Sequence, residues 1–284
     1  MTTSDTRFAT RASLADDLRR LGLGAGDKVM VHAAVRRLGP LMGDPDIVIA
    51  ALSDVVGAEG TILAYINWNA EHEDLVDDDG RMPVALRAHV PPFDARTSRA
   101  SRDHGVLAEF LRTWQGARRS GNPGASVAAV GRQADWFTAD HPQDYGYGPA
   151  SPFAKLVEAG GKVLMLGAPL DTMSLLHHAE HLATLPCKRV RRIEVPLREA
   201  HGVVWRMIEE FDTADPVIDL FDADYFGAIV ADFLAGGQGA TGLVAQAPSV
   251  LVEAPAITAF AVAWMEKSAA GAIERAQTAP AGAA

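Results

Sequence analysis

Apolar residues recur along the first part of the chain at spacings that alternate between helix and strand. Leucines at helical spacing within residues 13–23 predict a helix that ends at Gly22. The short, Val-rich run 28–32 predicts a strand, and the same pattern predicts a helix over 44–56 and a strand over 60–65. Helix, strand, helix and strand in this order are typical of a layered α/β domain.

The alternation continues through the rest of the chain. Helices are predicted over 103–114, 171–182, 222–234 and 256–272, and strands near 117–120 and 126–130 and over 162–167, 189–195, 202–211 and 241–252, the last as one strand or a pair. No repeat or linker divides these segments. The sequence therefore predicts a single α/β domain over 1–284, with a central mixed sheet layered between helices, a core at about 12–272 and frayed termini.

One long segment, residues 67–96, departs from this pattern and is rich in Trp, Pro, Gly and acidic residues. A loop of this length inside a domain is usually functional or mobile. Its acidic side chains include Glu71, and Tyr65 and Trp68 stand at its start. The alternative interpretation is an ordinary solvated surface.

Composition narrows the classes of function. The chain has 284 residues and a formal net charge of −10, which argues against a nucleic-acid or anionic-membrane surface and suits a cationic small molecule. A single cysteine, Cys187, excludes an intramolecular disulfide framework and a Cys-rich zinc site. No apolar run reaches the roughly 18–20 residues that span a bilayer, and the N-terminal segment carries acidic residues and lacks the apolar stretch of a signal peptide. These features predict a cytoplasmic protein.

The densest cluster of reactive side chains lies within residues 176–181. On a helix, His177, Glu180 and His181 share one face, which matches the H-x-x-E-H pattern of some zinc hydrolases. A hydrogen-bonded or solvated histidine cluster fits the same spacing. So does a general base at His177. The pattern alone leaves these three alternatives open.

Several further segments carry a resemblance to a known family. They are 26–32, 37–39, 60–61, 92–94, 116–120, 122–126, 130–131, 151–152, 166–170, 177–180 and 211–212. With these segments taken together, the chain resembles the aminoglycoside 3-N-acetyltransferases. This is an acetyl-CoA-dependent family whose fold differs from that of the GNAT acetyltransferases. The resemblance implies the antibiotic N-acetyltransferase type of α/β fold and an enzyme that acetylates the 3-amine of the 2-deoxystreptamine ring, conferring antibiotic resistance.

The chain departs from the family pattern at three places. Asn122 stands where the family commonly has His, Ala33 and Ala34 stand where it often has Ser, and Ser174 replaces Thr. The alanines leave only backbone contacts to a cofactor at their positions, whereas Ser174 keeps the hydroxyl group.

The resemblance implies roles for particular residues in catalysis. His177 is expected to deprotonate the substrate amine for direct transfer from acetyl-CoA, because imidazole titrates near neutral pH. Glu180, or a carboxylate within 210–212 such as Asp212, is expected to orient it, and Ser174 or loop N–H groups to stabilise the oxyanion. Substrate-binding residues are expected to be Tyr65, Trp68, Glu71, Asp171 and Glu210.

Coenzyme A requires cations and N–H groups for its phosphates. The resemblance implies that the turn after the first strand holds pantetheine and that the segment before the 103–114 helix holds the phosphates. The expected cofactor-binding residues are His32, Ala33, Ala34, Val35, Arg37, Ser98, Arg102, Gly105, Val106 and Ser120. Arginines paired with local acids, and a structural histidine at His32, are the alternatives.

The expected partners are thus acetyl-CoA and a cationic aminoglycoside, with no metal, nucleic acid or membrane. Two other functions stay open: acetylation of another small amine on the same fold, and a zinc hydrolase that uses His177, Glu180 and His181.

Overall fold

A mixed sheet of seven strands forms the centre of the computed structural model, which describes residues 8–68 and 70–278, without the side chains of residues 70, 71 and 276–278. The strands are β1 (Lys28–Ala33), β2 (Thr61–Tyr65), β3 (Arg118–Arg119), β4 (Val127–Gly131), β5 (Lys162–Leu166), β6 (Val190–Glu199), β7 (Gly202–Phe211), β8 (Ala240–Val244) and β9 (Ala247–Glu253). The sheet order is β3-β4-β2-β1-β5-β9-β8, and β6 and β7 form a separate hairpin. Parallel pairing joins β1 to β2 and β5, and the other pairs are antiparallel.

Helices cover both faces of this sheet. They are α1 (Arg11–Leu21), α2 (Asp46–Val56), α3 (Val84–Arg87), α4 (Val106–Arg112), α5 (Ala134–Thr138), α6 (Pro152–Glu158), α7 (Leu175–Leu182), α8 (Tyr225–Ala235) and α9 (Ala254–Thr278). Short 3₁₀ helices lie at Val35–Leu38, Ala70–Leu75, Arg102–His104 and Leu170–Thr172. Within the described ranges, no helix is both long and apolar enough to cross a membrane.

Alternation along the strands divides the core into two layers. On β1, Met30 belongs to the cluster that packs against α5 to α9, whereas Val29 and Val31 belong to the cluster that packs against α1, α2 and α4. Because successive strand residues point to opposite faces, one apolar strand fills both layers. The expected α/β fold, with a mixed sheet between helical layers, is confirmed.

The β6–β7 hairpin makes its own small core with the long segment that follows β2. Val195 and Leu197 of the hairpin cluster with Trp68 and Phe93. The buried Glu194 carboxylate accepts a hydrogen bond from the Met82 N–H at 3.0 Å and pairs with the Arg87 guanidinium at 2.7 Å. Residues 67–96 are therefore not a loop throughout, because they contain a 3₁₀ helix and α3 and are fixed to the hairpin.

Several predicted boundaries were wrong, for local reasons. The 103–114 helix is broken at Gly105, whose φ of +75° ends a 3₁₀ turn, so α4 begins at Val106. The 171–182 helix is likewise divided, since Met173 leaves the helical region with a ψ of 87°. Helices α5 and α6 were not predicted. Gly22 ends α1 in the left-handed conformation, with φ 109°, as expected.

Candidate active site

A first cleft opens at the carboxyl ends of the three parallel strands β2, β1 and β5. It holds about 830 Å³ of space and is lined by Val31, His32, Ala33, Ala34, Ala64, Tyr65, Asp103, His104, Gly105, Leu107, Ala108, Ala168, Pro169, Thr172 and Ser174. Ligands of α/β proteins commonly bind outside the carboxyl ends of parallel strands. At Gly105 the backbone comes so near that an added Cβ would lie 3.2 Å from the Ala33 carbonyl oxygen.

His32 brings an unsatisfied polar atom to this cleft. Its Nε2 is buried and has no hydrogen-bond partner in the structure. Burial, reinforced by the charge of nearby His104, lowers the pKa of His32 to about 3, so its ring is neutral at physiological pH. His104 Nε2 donates to Asn67 Oδ1 at 2.5 Å, and burial lowers its pKa as well. The cleft wall thus offers neutral imidazoles.

A second cleft of about 710 Å³ lies between the segment after β2 and the β6–β7 hairpin. Its lining combines aromatic rings, amides and carboxylates: Tyr65, Asn67, Trp68, His72, Glu73, Asn122, Pro123, Gly124, Ala125, Gln143, Tyr147, Arg191, Ile193, Val195, Ile208, Glu210, Phe211 and Thr213. Burial raises the pKa of Glu73, although Arg191 beside it opposes the shift. Flat rings beside carboxylates suit a cationic, sugar-like ligand.

Tyr65 lines both clefts and connects them to α7. The Tyr147 hydroxyl donates to the Tyr65 hydroxyl at 2.8 Å, and Tyr65 donates to the Gly124 carbonyl at 2.9 Å. Burial raises the pKa of both tyrosines, so both hydroxyls stay protonated at neutral pH. The Tyr147 ring lies 4.8 Å from the ring of His177. His177 is not among the lining residues of either cleft, but it contacts Tyr147 of the second cleft, which is hydrogen-bonded to the shared residue Tyr65.

His177 is held by a chain of hydrogen bonds through α7 and α8. Its Nδ1–H donates to Glu180 Oε2 at 2.7 Å, as the i, i+3 spacing predicted. The other oxygen of Glu180, which is 1% exposed, accepts from the Tyr225 hydroxyl. Burial, followed by the charge of Glu180, raises the pKa of Tyr225, so the hydroxyl remains a donor. Because Nδ1 faces this carboxylate, Nε2 is the ring nitrogen of His177 that remains for another partner.

The other two histidines of α7 have different partners. His178 donates from Nδ1 to the Tyr147 carbonyl at 2.7 Å, which fixes the position of Tyr147. His181 donates from Nε2 to Glu210 Oε1 at 2.9 Å. His177 and His181 thus bind separate carboxylates, and among the described residues no group of three or more His, Cys, Asp or Glu is arranged to hold a metal ion.

The structure separates the expected catalytic residues. Ser174 lines the first cleft one turn before His177, and Glu180 contacts His177 directly. Asp212 does not contact His177, contrary to one of the expected alternatives. Its buried Oδ1 instead accepts from the Ala214 N–H at 3.0 Å, because the chain turns at the end of β7.

Of the expected cofactor residues, His32, Ala33, Ala34 and Gly105 line the first cleft, with exposed Arg102 and Val106 on either side of its wall. Ser120 does not reach it, since its buried hydroxyl accepts from the Val127 N–H and contacts His141 Nδ1. Three others lie outside the lining. Val35 packs against the core layer of α1, α2 and α4, Arg37 donates to the Gly167 carbonyl, and the Ser98 hydroxyl accepts from the Asp94 N–H. Arg99 and Arg118 pair with local acids.

Of the expected substrate residues, Tyr65, Trp68 and Glu210 line the second cleft. Asp171 does not: it is exposed in the 3₁₀ turn before α7 and faces Gly227 of α8. The side chain of Glu71 lies outside the described part of the chain.

Glu73 of the second cleft lies in the acidic segment 67–96 that the sequence indicated, but three residues that the sequence interpretation missed also belong to this region: Tyr147, Arg191 and Tyr225. They come from separate parts of the chain, and no short motif connects them to α7.

Asn122, which differs from the family pattern, is buried. Its amide donates to the Pro142 and Gln143 carbonyls and its Oδ1 accepts from the Ala125 N–H, so it shapes the cleft wall.

Comparison with known proteins identifies relatives over almost the whole chain. A family model described as aminoglycoside 3-N-acetyltransferase matches residues 30–266. Aminoglycoside N(3)-acetyltransferase III of Pseudomonas aeruginosa is 46% identical over 90% of this chain and 93% of its own. Aminoglycoside N(3)-acetyltransferase VIII of Streptomyces fradiae is 44% identical over 93% of this chain and 94% of its own.

Solved structures agree with these relatives. The structure titled AAC-IIIb binary with CoASH has a TM-score of 0.91 and 66% identity, covering 92% of this chain and 97% of that one. The structure titled AAC-VIa bound to Sisomicin has a TM-score of 0.88 and 35% identity, covering 93% of this chain and all of that one, at 100%. On this evidence of sequence and fold, the chain belongs to the aminoglycoside 3-N-acetyltransferase family and is an acetyltransferase.

Proposed function

We propose that this enzyme transfers the acetyl group of acetyl-CoA directly to the 3-amine of the 2-deoxystreptamine ring of aminoglycosides, with His177 as general base. The observation that carries the proposal is the 2.7 Å hydrogen bond from His177 Nδ1 to Glu180, on a histidine whose ring contacts Tyr147 of the second cleft. Relatives named as N(3)-acetyltransferases, and structural neighbours bound to CoASH and to sisomicin, support the choice of substrates.

Acetyl-CoA is assigned to the first cleft. The buried Nε2 of His32 is a polar atom in need of a partner, and the backbone of Ala33, Ala34 and Gly105 offers a narrow wall for pantetheine. Exposed Arg36 and Arg102, one after β1 and one before the cleft wall, are suited to the phosphates. Ser174 lies in the lining one turn before His177, where its hydroxyl is suited to the thioester oxygen.

The aminoglycoside is assigned to the second cleft. Its ammonium groups need carboxylates, which Glu73 and Glu210 supply, and its sugar faces suit the rings of Tyr65 and Trp68. Both ligands would then meet at Tyr65, next to His177. This placement brings the amine and the thioester together without a covalent enzyme intermediate.

The proposed reaction balances as a single transfer. The amine nitrogen attacks the thioester carbonyl carbon, a C–N bond forms and the C–S bond breaks. Nε2 of His177 accepts the proton that the nitrogen loses, and it then returns a proton to the departing thiolate. Glu180, itself fixed by Tyr225, stabilises the imidazolium that exists between these steps.

The product explains a role in resistance. An amide nitrogen carries no positive charge, so acetylation removes one of the charges with which an aminoglycoside binds an anionic target. Because acetyl-CoA is a metabolite of the cytoplasm, we place the reaction in that compartment.

The test is thiol release from acetyl-CoA across a panel of amines, with sisomicin, gentamicin and small monoamines. His177→Ala is expected to lower kcat about 10²–10⁴-fold with little change in the KM for acetyl-CoA. His201→Ala, at an exposed histidine of the hairpin turn, is the matched control and should retain wild-type kcat. An unchanged kcat in His177→Ala would remove the assignment of the base, and turnover restricted to monoamines would favour the alternative of another small amine as substrate.

A further inference from the structure

The second cleft contains a cation that a binding site for polycations does not require. Among the described residues that line it, Arg191 is the only lysine or arginine. Its Nη1 lies 3.2 Å from Glu73 Oε2, and the two side chains are 37% and 32% exposed. The Arg191 guanidinium is therefore already paired with a carboxylate that an ammonium group of the substrate would use.

The hairpin register accounts for the position of Arg191. Arg191 on β6 lies directly opposite Glu210 on β7, and Ile193 lies opposite Ile208. Since facing residues of an antiparallel pair share one face, these four side chains all point to the cleft. Arg192 points to the other face, where it pairs with Glu209 at 2.6 Å. Neighbouring arginines thus differ in whether they meet the ligand.

We propose that Arg191 is a specificity-determining residue that competes with the substrate for Glu73. In the free enzyme its guanidinium neutralises the carboxylate. When an aminoglycoside binds, a substrate ammonium group takes over Glu73, and the Arg191 side chain moves toward the open side of the cleft. This inference rests on the proposed function, because it concerns the same cleft and the same class of ligand.

The competition has a consequence for selectivity. A ligand whose ammonium group reaches Glu73 gains a carboxylate partner, but the Arg191–Glu73 ion pair must break. A ligand without such a group meets only the repulsion of the guanidinium. Arg191 thereby lowers affinity for every cation, and it lowers affinity most for ligands whose ammonium group reaches Glu73.

The experiment compares Arg191→Gln with Arg192→Gln by calorimetric titration of the full-length enzyme with sisomicin. Arg191→Gln is expected to bind about threefold to fivefold more tightly, the range for a partly exposed ion pair, and Arg192→Gln to bind within about twofold of wild type. The gain for 2-deoxystreptamine alone, which lacks the amino sugars, should be smaller. Equal or weaker binding of sisomicin by Arg191→Gln would overturn the proposal.

A second pair of variants separates competition from simple repulsion. On a Glu73→Gln background, Arg191→Gln is expected to gain less than about twofold, because no carboxylate is left to contest. An equal gain on both backgrounds would overturn competition for Glu73. Thermal unfolding of each variant checks folding. Since the titration measures binding without acetyl-CoA, a failure of acetyl transfer would count against the proposed function and leave this inference to be decided by the titration.

Discussion

The two clefts are built in different ways. The first is formed where three parallel strands end, and the strand ends of β1 and β2 share its wall with the segments 103–108 and 168–174. The second is assembled from four segments far apart in sequence, and its outer wall is the β6–β7 hairpin, which is not part of the main sheet. The ends of paired strands offer a fixed frame for binding an acyl donor, whereas ligand selectivity is more easily varied on a separate hairpin.

This contrast predicts that acid affects the first cleft through His32. Its pKa is lowered to about 3, so between pH 6.5 and 3 the unfolded chain binds a proton that the folded protein excludes, and stability falls as pH falls through that window. The loss by pH 4 is expected to be about 3 kcal/mol relative to pH 8.

His32→Asn should flatten this part of the pH dependence, measured by urea unfolding at pH 4, 6 and 8. Other buried histidines, such as His141 with a pKa of about 4, contribute in both proteins, so the difference between the two profiles isolates His32. Parallel profiles would show that His32 is protonated without cost in the folded state.

The hairpin predicts an effect confined to the second cleft. Glu194→Ala removes the buried carboxylate that joins β6 to Met82 and Arg87, and hydrogen bonds to charged groups are worth about 1.5–3 kcal/mol. We expect the KM for an aminoglycoside to rise about tenfold, with the KM for acetyl-CoA within about twofold of wild type.

Steady-state kinetics with each substrate varied in turn distinguish the two clefts. Glu199→Ala is the control, because Glu199 lies on the same strand but pairs with Arg206 on the exposed surface. If Glu194→Ala raised both KM values equally, the clefts would not be independent.

The smallest effect is expected where the clefts meet. Tyr225→Phe removes the hydroxyl that fixes Glu180 but keeps the ring packed against Phe221 and Phe226. Because Tyr225 positions Glu180 without touching substrate, kcat should fall about threefold to tenfold while both KM values stay constant. A rise in either KM at unchanged kcat would assign Tyr225 to binding instead.

Local sequence patterns anticipated the parts of the site that depend on near neighbours. The His177–Glu180 pair follows from helical spacing, whereas the place of residues 32–34 at the first cleft was implied by the family resemblance. Ser120 and Asp171 were misplaced because their roles rest on distant partners or on the orientation of a turn. No spacing rule connects Tyr225 to Glu180, which lies on another helix.

By itself, the sequence determined the α/β class, the core strands, the acidic character of the chain and the His177–Glu180 pair on α7, because periodicity, composition and i, i+3 spacing act over short distances. Only the tertiary structure decided that Tyr65 lies between two clefts, that Glu210 faces His181 and not His177, and that Arg191 occupies Glu73. These arrangements depend on strand register and on the packing of the hairpin against a distant segment, which no local pattern records.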